Sequence, residues 1–172
     1  MKSRLLSIVL LSMLFCCKSS RKEEAMSEAE LKEHIAGANQ IMVRNEKKDI
    51  EDFIARHQFA MEGTGTGLRY SIYEPGKGDK PLPHDAVVVA YRNYFLNGSE
   101  VYDITESDPD TFRLAEAQQA RGLEEALFLM QEGARARLVV PAHLAYGMIG
   151  DQQKIPGATP LYYDIHLIKI NP

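Results

Sequence analysis

Six short runs of alternating apolar and polar residues, separated by turn residues and interrupted by one helical run, confine this 172-residue chain to a mixed fold. Leu68, Tyr70 and Ile72 alternate with Arg69 and Ser71, the period of a half-buried strand. Residues 87–95, 101–102, 111–114, 134–140 and 161–170 read as further strands. Glu74-Pro75-Gly76, Asn97-Gly98 and Pro156-Gly157 supply the turns between them. Over 120–131 the period changes: Leu123, Ala126, Leu127 and Met130 fall on one helical face, and Gly133 stops the run. Several strands and one helix predict an α+β fold, the helix covering one face of a mostly antiparallel sheet.

What precedes the sheet divides into three segments. Residues 1–16 carry two cations and then a short apolar run, too brief to cross a bilayer, and read as a secretory signal. Leu14-Phe15-Cys16-Cys17 resembles a bacterial lipoprotein processing box, with Leu14 three before Cys17. Cys17 is therefore the expected lipidation site and membrane anchor, since several acyl chains on one residue hold it there. Removal of Lys2 and Arg4 with the signal lowers the net charge of −4 by two. Residues 17–26 form a polar tether. Ser27 and Glu30 have capping-box spacing, and Leu31, Ile35, Ala38, Met42, Ile50, Phe53 and Ile54 continue at helical intervals. A helical extension over 27–62 is expected, as one long helix or two parted near residue 45, with Gly63 as its stop. Its apolar stripe either folds back on its own domain or forms a homodimer seam. Residues 63–67 look like a phosphate loop but lack the Lys-Ser/Thr that would complete one, and read as a hinge.

Composition excludes several function classes. The acidic balance leaves no basic stripe for nucleic acid. Two adjacent cysteines neither staple a fold nor build a zinc site, and the five histidines show no ligand spacing. No nucleophile elbow, carboxylate pair or reactive cysteine marks residues 63–172. Aromatics cluster near turns there instead, among them Tyr91, Tyr94, Tyr102, Phe112, Tyr146, Tyr162 and Tyr163.

Taken in order, the blocks resemble the FKBP-type peptidyl-prolyl isomerase family. They are Gly67-Leu68-Arg69-Tyr70, Pro75-Gly76-Lys77-Gly78, Tyr91 with Leu96-Asn97-Gly98, Tyr102-Asp103, and Phe112-Arg113-Leu114. Gly122-Leu123-Glu124-Glu125-Ala126-Leu127, Met130-Gln131-Glu132-Gly133, Ala145-Tyr146-Gly147, Ile155-Pro156 and Leu161-Tyr162-Tyr163-Asp164 follow. Together with the lipoprotein box and the Thr-Gly-Thr-Gly-Leu-Arg-Tyr junction, the chain resembles FKBP-type lipoproteins of Bacteroidetes, some associated with gliding motility. The resemblance implies a five- to six-stranded sheet half-wrapped around a helix, an isomerase domain over 63–172, and no cofactor or metal.

By the same resemblance, Tyr91 and Tyr102 wall a proline pocket, Asp103 sits beside it as a hydrogen-bond partner, and Tyr146 offers its hydroxyl to a substrate carbonyl. Phe112, Ile155 and Tyr163 complete the wall. Four positions depart from the family pattern: Leu123 stands where the floor is usually tryptophan, Gln119-Ala120 where an aliphatic pair is usual, and Asp110 where an aromatic is frequent. These changes shrink the apolar lining, although the backbone N–H of Ala120 still offers a donor. The implied function is a prolyl isomerase assisting folding in the bacterial cell envelope, acting on proline-containing unfolded chains. The alternative is a catalytically weak chaperone or binding module of an envelope or gliding-motility assembly.

Overall fold

The computed structural model describes residues 27–171. The signal, the tether and Cys17 lie outside the described residues. One continuous helix, α1 (Glu28–His57), is followed by strands β1 (Glu62–Gly63), β2 (Arg69–Glu74), β3 (Ala86–Phe95), β4 (Glu100–Ile104) and β5 (Asp110–Arg113). The second helix, α2 (Arg121–Leu129), leads to β6 (Arg135–Val140), a 3-10 turn at Ala142–Leu144 and the long β7 (Leu161–Asn171). No helix among the described residues is long and apolar enough to cross a membrane.

The chain divides into two units, one up to Ala38 and one from Asn39 onward. In the first, the capping box forms as its spacing requires. The Glu30 carboxylate accepts from the Ser27 backbone N–H at 2.9 Å, and the Glu30 N–H donates to the Ser27 hydroxyl at 3.3 Å. Leu31 and Ile35 on this stretch are 47% and 52% exposed.

The second unit holds the sheet, ordered β1-β2-β6-β7-β3-β4 with β5 also on β3, and every pairing is antiparallel. The α+β expectation stands. The count exceeds five or six strands because residues 63–67 do not act as a hinge. Gly67 donates to Thr64 O and Thr64 to Leu68 O, closing a tight turn that pairs Glu62–Gly63 with Arg69 and Tyr70.

Each face of the sheet carries one helical element. Leu123, Ala126 and Leu127 of α2 pack on Val87, Val89, Leu138 and Ile165 of the inner face. Gly122 permits that approach: a Cβ there would meet Val140 Cγ1 at 2.5 Å. On the outer face, Ile50 and Phe53 of α1 pack on Val139 and Tyr162, which are cross-strand partners on β6 and β7. Thus this part of the helical stripe does fold back, while Ile41, Met42 and Val43 stay exposed.

Helix α1 ends at His57, earlier than the expected stop at Gly63. Gln58 takes a left-handed φ of 54°, and the N–H groups of Gln58 and Phe59 donate to Ala55 O and Ile54 O. Those two bonds satisfy the last carbonyls in a Schellman motif, a role usually taken by glycine.

Candidate active site

Strand alternation brings the predicted residues together. Tyr91 and Asn93 of β3 lie on the inner face, opposite Ile165 and Tyr163 of β7 and Ile104 and Tyr102 of β4. The Tyr91 and Tyr163 rings meet with centroids 5.7 Å apart at 54°. Around them, Phe112 comes from β5, Ala120 and Leu123 from the start of α2, and Tyr146 and Ile155 from the β6–β7 connection. All eight predicted apolar or aromatic residues share one cluster. Phe112, Ala120, Leu123, Ile155 and Tyr163 are buried within it, with half-buried Tyr91, Tyr102 and Tyr146 against them.

The loop that carries Ile155 is fixed by one carboxylate. Asp151 Oδ1 accepts from the backbone N–H of Gln153 at 2.9 Å and of Ile155 at 2.7 Å. Its Oδ2 accepts from the Tyr102 hydroxyl at 2.5 Å. Lys154 adds a second tie, with Nζ donating to Val101 O at 3.0 Å and lying 4.6 Å from the Tyr102 ring centroid. Gly150, at φ 78°, is required here, since any Cβ would strike Ile155 O. Gln119 is at the other rim, where Nε2 donates to Asp110 Oδ2 at 2.9 Å.

Asp103 departs from its expected place. It is in register with Arg92 on β3, and Arg92 is in register with Asp164 on β7, so alternation turns all three to the outer face. There Asp103 accepts from Arg92 Nε at 3.1 Å and remains 38% exposed. With Tyr91, Arg92, Glu106, Arg135, Asp164 and His166 it lines a groove of about 340 Å³. The carboxylates that reach the pocket tyrosines are Asp151 and Asp110.

Those tyrosines all hold their protons tightly. Burial, then the neighbouring Tyr146, Asp110 and Tyr102, push Tyr91 far above the usual phenol value. Tyr102 is pushed up to about 12, first by its bond to Asp151 and then by burial. Burial also raises Tyr146, and the nearby Asp151 and Asp110 carboxylates add to it. Tyr163 is raised well above the ordinary value, again chiefly by burial. Near neutral pH the pocket therefore offers apolar walls and O–H donors, and no phenolate base.

Three contributors are not among the residues that sequence reasoning singles out for the site. Asp151 follows a glycine in a turn-rich segment, a setting in which aspartate caps its own loop. Asn93 is the only polar member of the inward series Val87, Val89, Tyr91, Asn93, and that break in alternation is a usable signal. Asp110 enters the sequence pattern only as an absent aromatic.

Comparison with known proteins gives a consistent result. A family model described as FKBP-type peptidyl-prolyl cis-trans isomerase matches residues 77–168, more than half the chain. The FKBP-type isomerase FkpA of Escherichia coli K12 is 35% identical over 125 residues, covering 68% of this chain and 44% of its own length. The outer membrane protein MIP of Legionella longbeachae is 38% identical over 107 residues, covering 61% of this chain and 45% of its own. This chain thus spans less than half the length of these curated relatives. The crystal structure of Escherichia coli FkpA superposes with a TM-score of 0.67 at 27% identity, covering all of this chain and 83% of that one.

Proposed function

Because the chain belongs to the FKBP-type peptidyl-prolyl cis-trans isomerase family, we propose that its aromatic pocket catalyses rotation about X-Pro peptide bonds in proteins of the cell envelope. The observation that supports this reading is the convergence of Tyr91, Tyr102, Phe112, Leu123, Tyr146, Ile155 and Tyr163, from β3, β4, β5, α2, the long connection and β7, in one apolar cluster. Gln119 and Ala120 border its entrance.

Rotation about an X-Pro bond faces a barrier of ~18–20 kcal/mol because amide resonance must be broken. The twisted amide is less polar than the planar one, so a site that strips water from it favours the transition state over the ground state. Every 1.36 kcal/mol removed accelerates rotation about tenfold. The proline ring enters between Tyr91, Tyr163 and Leu123. The Tyr146 O–H and the Ala120 N–H donate to substrate carbonyls, and no group gains or loses a proton. Leu123 presents a smaller floor than an indole and Gln119–Asp110 a polar rim. Both reduce apolar burial, which at ~25 cal/mol per Å² weakens substrate binding. That observation also favours a second reading, a chaperone or binding module of an envelope or gliding-motility assembly with modest isomerase turnover.

In this proposal Cys17 carries the lipid that holds the protein at the membrane, as in the Bacteroidetes lipoproteins it resembles. One relative's name, outer membrane protein MIP, agrees with an envelope setting. Residues 63–172 form the isomerase domain and act on proline-containing, incompletely folded chains. Exposed Leu31 and Ile35 on α1 offer a seam for a second copy.

Refolding of a protein limited by prolyl isomerisation tests the reading, because uncatalysed exchange takes tens of seconds or more. A substoichiometric amount of the full chain is expected to accelerate the slow phase, and Tyr146→Phe to accelerate it less. An unchanged slow phase, with binding to the unfolded protein retained, would instead select the binding-module reading.

A further inference from the structure

Asp110 sets a carboxylate against the aromatic cluster, and one of its oxygens is unused. It opens β5 two residues before Phe112, so strand alternation turns both to the same face. Phe112 is buried in the cluster, and Val89, the register partner of Asp110, is buried two residues before Tyr91. Gln119, the residue before Ala120, donates from Nε2 to Asp110 Oδ2 at 2.9 Å and fixes the side chain beside the start of α2. That is the one bond to this carboxylate among the described residues, and it leaves Oδ1 free.

No cation neutralises the charge. Among the described residues Arg69 pairs with Glu51, Arg92 with Asp103, and Arg135 with Glu74 and Glu106, whereas Asp110 has no ion pair. Arg121, which follows Ala120, is exposed and forms no pair with it. A neutral amide donor leaves the full negative charge in place. That charge is felt within the site, where it helps to hold the protons on Tyr91 and Tyr146.

We propose that Asp110 is a specificity-determining residue: its free carboxylate oxygen selects X-Pro segments in which a residue adjoining the proline is lysine or arginine. The proposal names the substrate class of the isomerase reading above and rests on it. Because Gln119 holds the carboxylate beside Ala120, the favoured cation belongs to the residue whose carbonyl takes the Ala120 N–H. Such a side chain lays its methylene stem along the apolar wall and brings its charged end to Asp110. An aliphatic neighbour of proline meets a carboxylate where it would need apolar surface, and an acidic one is repelled. Preference arises from attraction and rejection together.

Proline peptides carrying lysine, norleucine or glutamate directly before or directly after the proline test this on the full chain, with isomerisation followed by exchange NMR and binding by fluorescence anisotropy. At one of the two positions, lysine is expected to give a kcat/KM about fivefold above norleucine, the worth of a partly exposed ion pair, with the gain in KM. Glutamate should fall below norleucine, and added salt should shrink both differences. Asp110→Asn, which keeps an oxygen for Gln119, should bring the lysine-to-norleucine ratio close to one, and Asp110→Lys should place glutamate first. Equal rates for lysine and norleucine in a catalysing wild type, or an unchanged ratio in Asp110→Asn, would overturn the preference and leave the isomerase reading intact. Peptides bound with the expected ranking but not isomerised would overturn the isomerase reading and keep the role of Asp110. A wild type that neither binds nor isomerises any of the peptides would overturn both.

Discussion

The Tyr102 hydroxyl donates a 2.5 Å hydrogen bond to Asp151, forty-nine residues further along the chain. This bond ties the loop that carries Ile155 to the edge strand β4, so one face of the pocket depends on it. Either Tyr102→Phe or Asp151→Asn is expected to raise KM about 3- to 10-fold with kcat changed less than about twofold, and to reduce stability by about 1 kcal/mol. Because both changes break the same bond, the double variant should lose little more than either single one. Peptide-isomerisation kinetics and urea unfolding of the four proteins measure these effects.

Stability against pH should show two limbs. Burial tends to raise the Asp151 pKa, but the bonds from Tyr102 and from the Ile155 and Gln153 N–H groups outweigh it and hold the carboxyl below its ordinary value. A depressed pKa stabilises fully above the unfolded value of about 3.9, and the effect is lost as pH falls through the folded value. Asp151→Asn should therefore flatten the acid limb below about pH 4. The alkaline limb has the opposite sign: raised Tyr91, Tyr102 and Tyr163 values stabilise fully below about pH 10 and less as pH rises toward the folded values. Urea midpoints from pH 3 to 11 reveal both limbs, with Tyr163→Phe reducing the second.

Much of this arrangement is legible in the sequence, for a physical reason. Alternation fixes which side chains share a face, so Val87, Val89 and Tyr91, like Tyr163 and Ile165, mark an inner wall by their spacing alone. The same rule explains why Asp103 pairs with Arg92 and does not turn inward with Tyr102. Its neighbour Tyr102 belongs to the pocket, and adjacent residues on a flat strand cannot both face inward. Asp151 and Asn93 are harder to read because their roles depend on partners that the chain brings near only on folding. The end of α1 escapes the pattern because Gln58 takes a left-handed conformation that glycine ordinarily signals.

Placing Asp103 on the outer face has a direct consequence. Asp103→Asn should leave kcat/KM within about twofold of the wild type, and cost less than about 1 kcal/mol, since its pair with Arg92 is exposed. Loss of activity in this variant, with stability intact, would return Asp103 to the pocket.

The outer face predicts a larger effect at a distant residue. Phe53 is buried between Tyr162, with ring centroids 5.3 Å apart, and Phe59 at 6.2 Å. Phe53→Ala should destabilise the second unit by about 3–5 kcal/mol, the range for truncating a buried aromatic. The pocket lies on the other face, so kcat/KM per folded molecule should hold. Denaturant unfolding together with active-site-normalised rates checks both statements.

The central claim is that the pocket around Tyr146 lowers the barrier to X-Pro rotation. The most direct measurement is cis–trans exchange of a short proline peptide by exchange NMR, with the full chain at substoichiometric concentration. The account predicts broadened, faster exchange with the wild type, about tenfold less acceleration with Tyr146→Phe, and undiminished acceleration with Asp103→Asn. Exchange equal to that of the free peptide, with peptide binding still detectable, would contradict it.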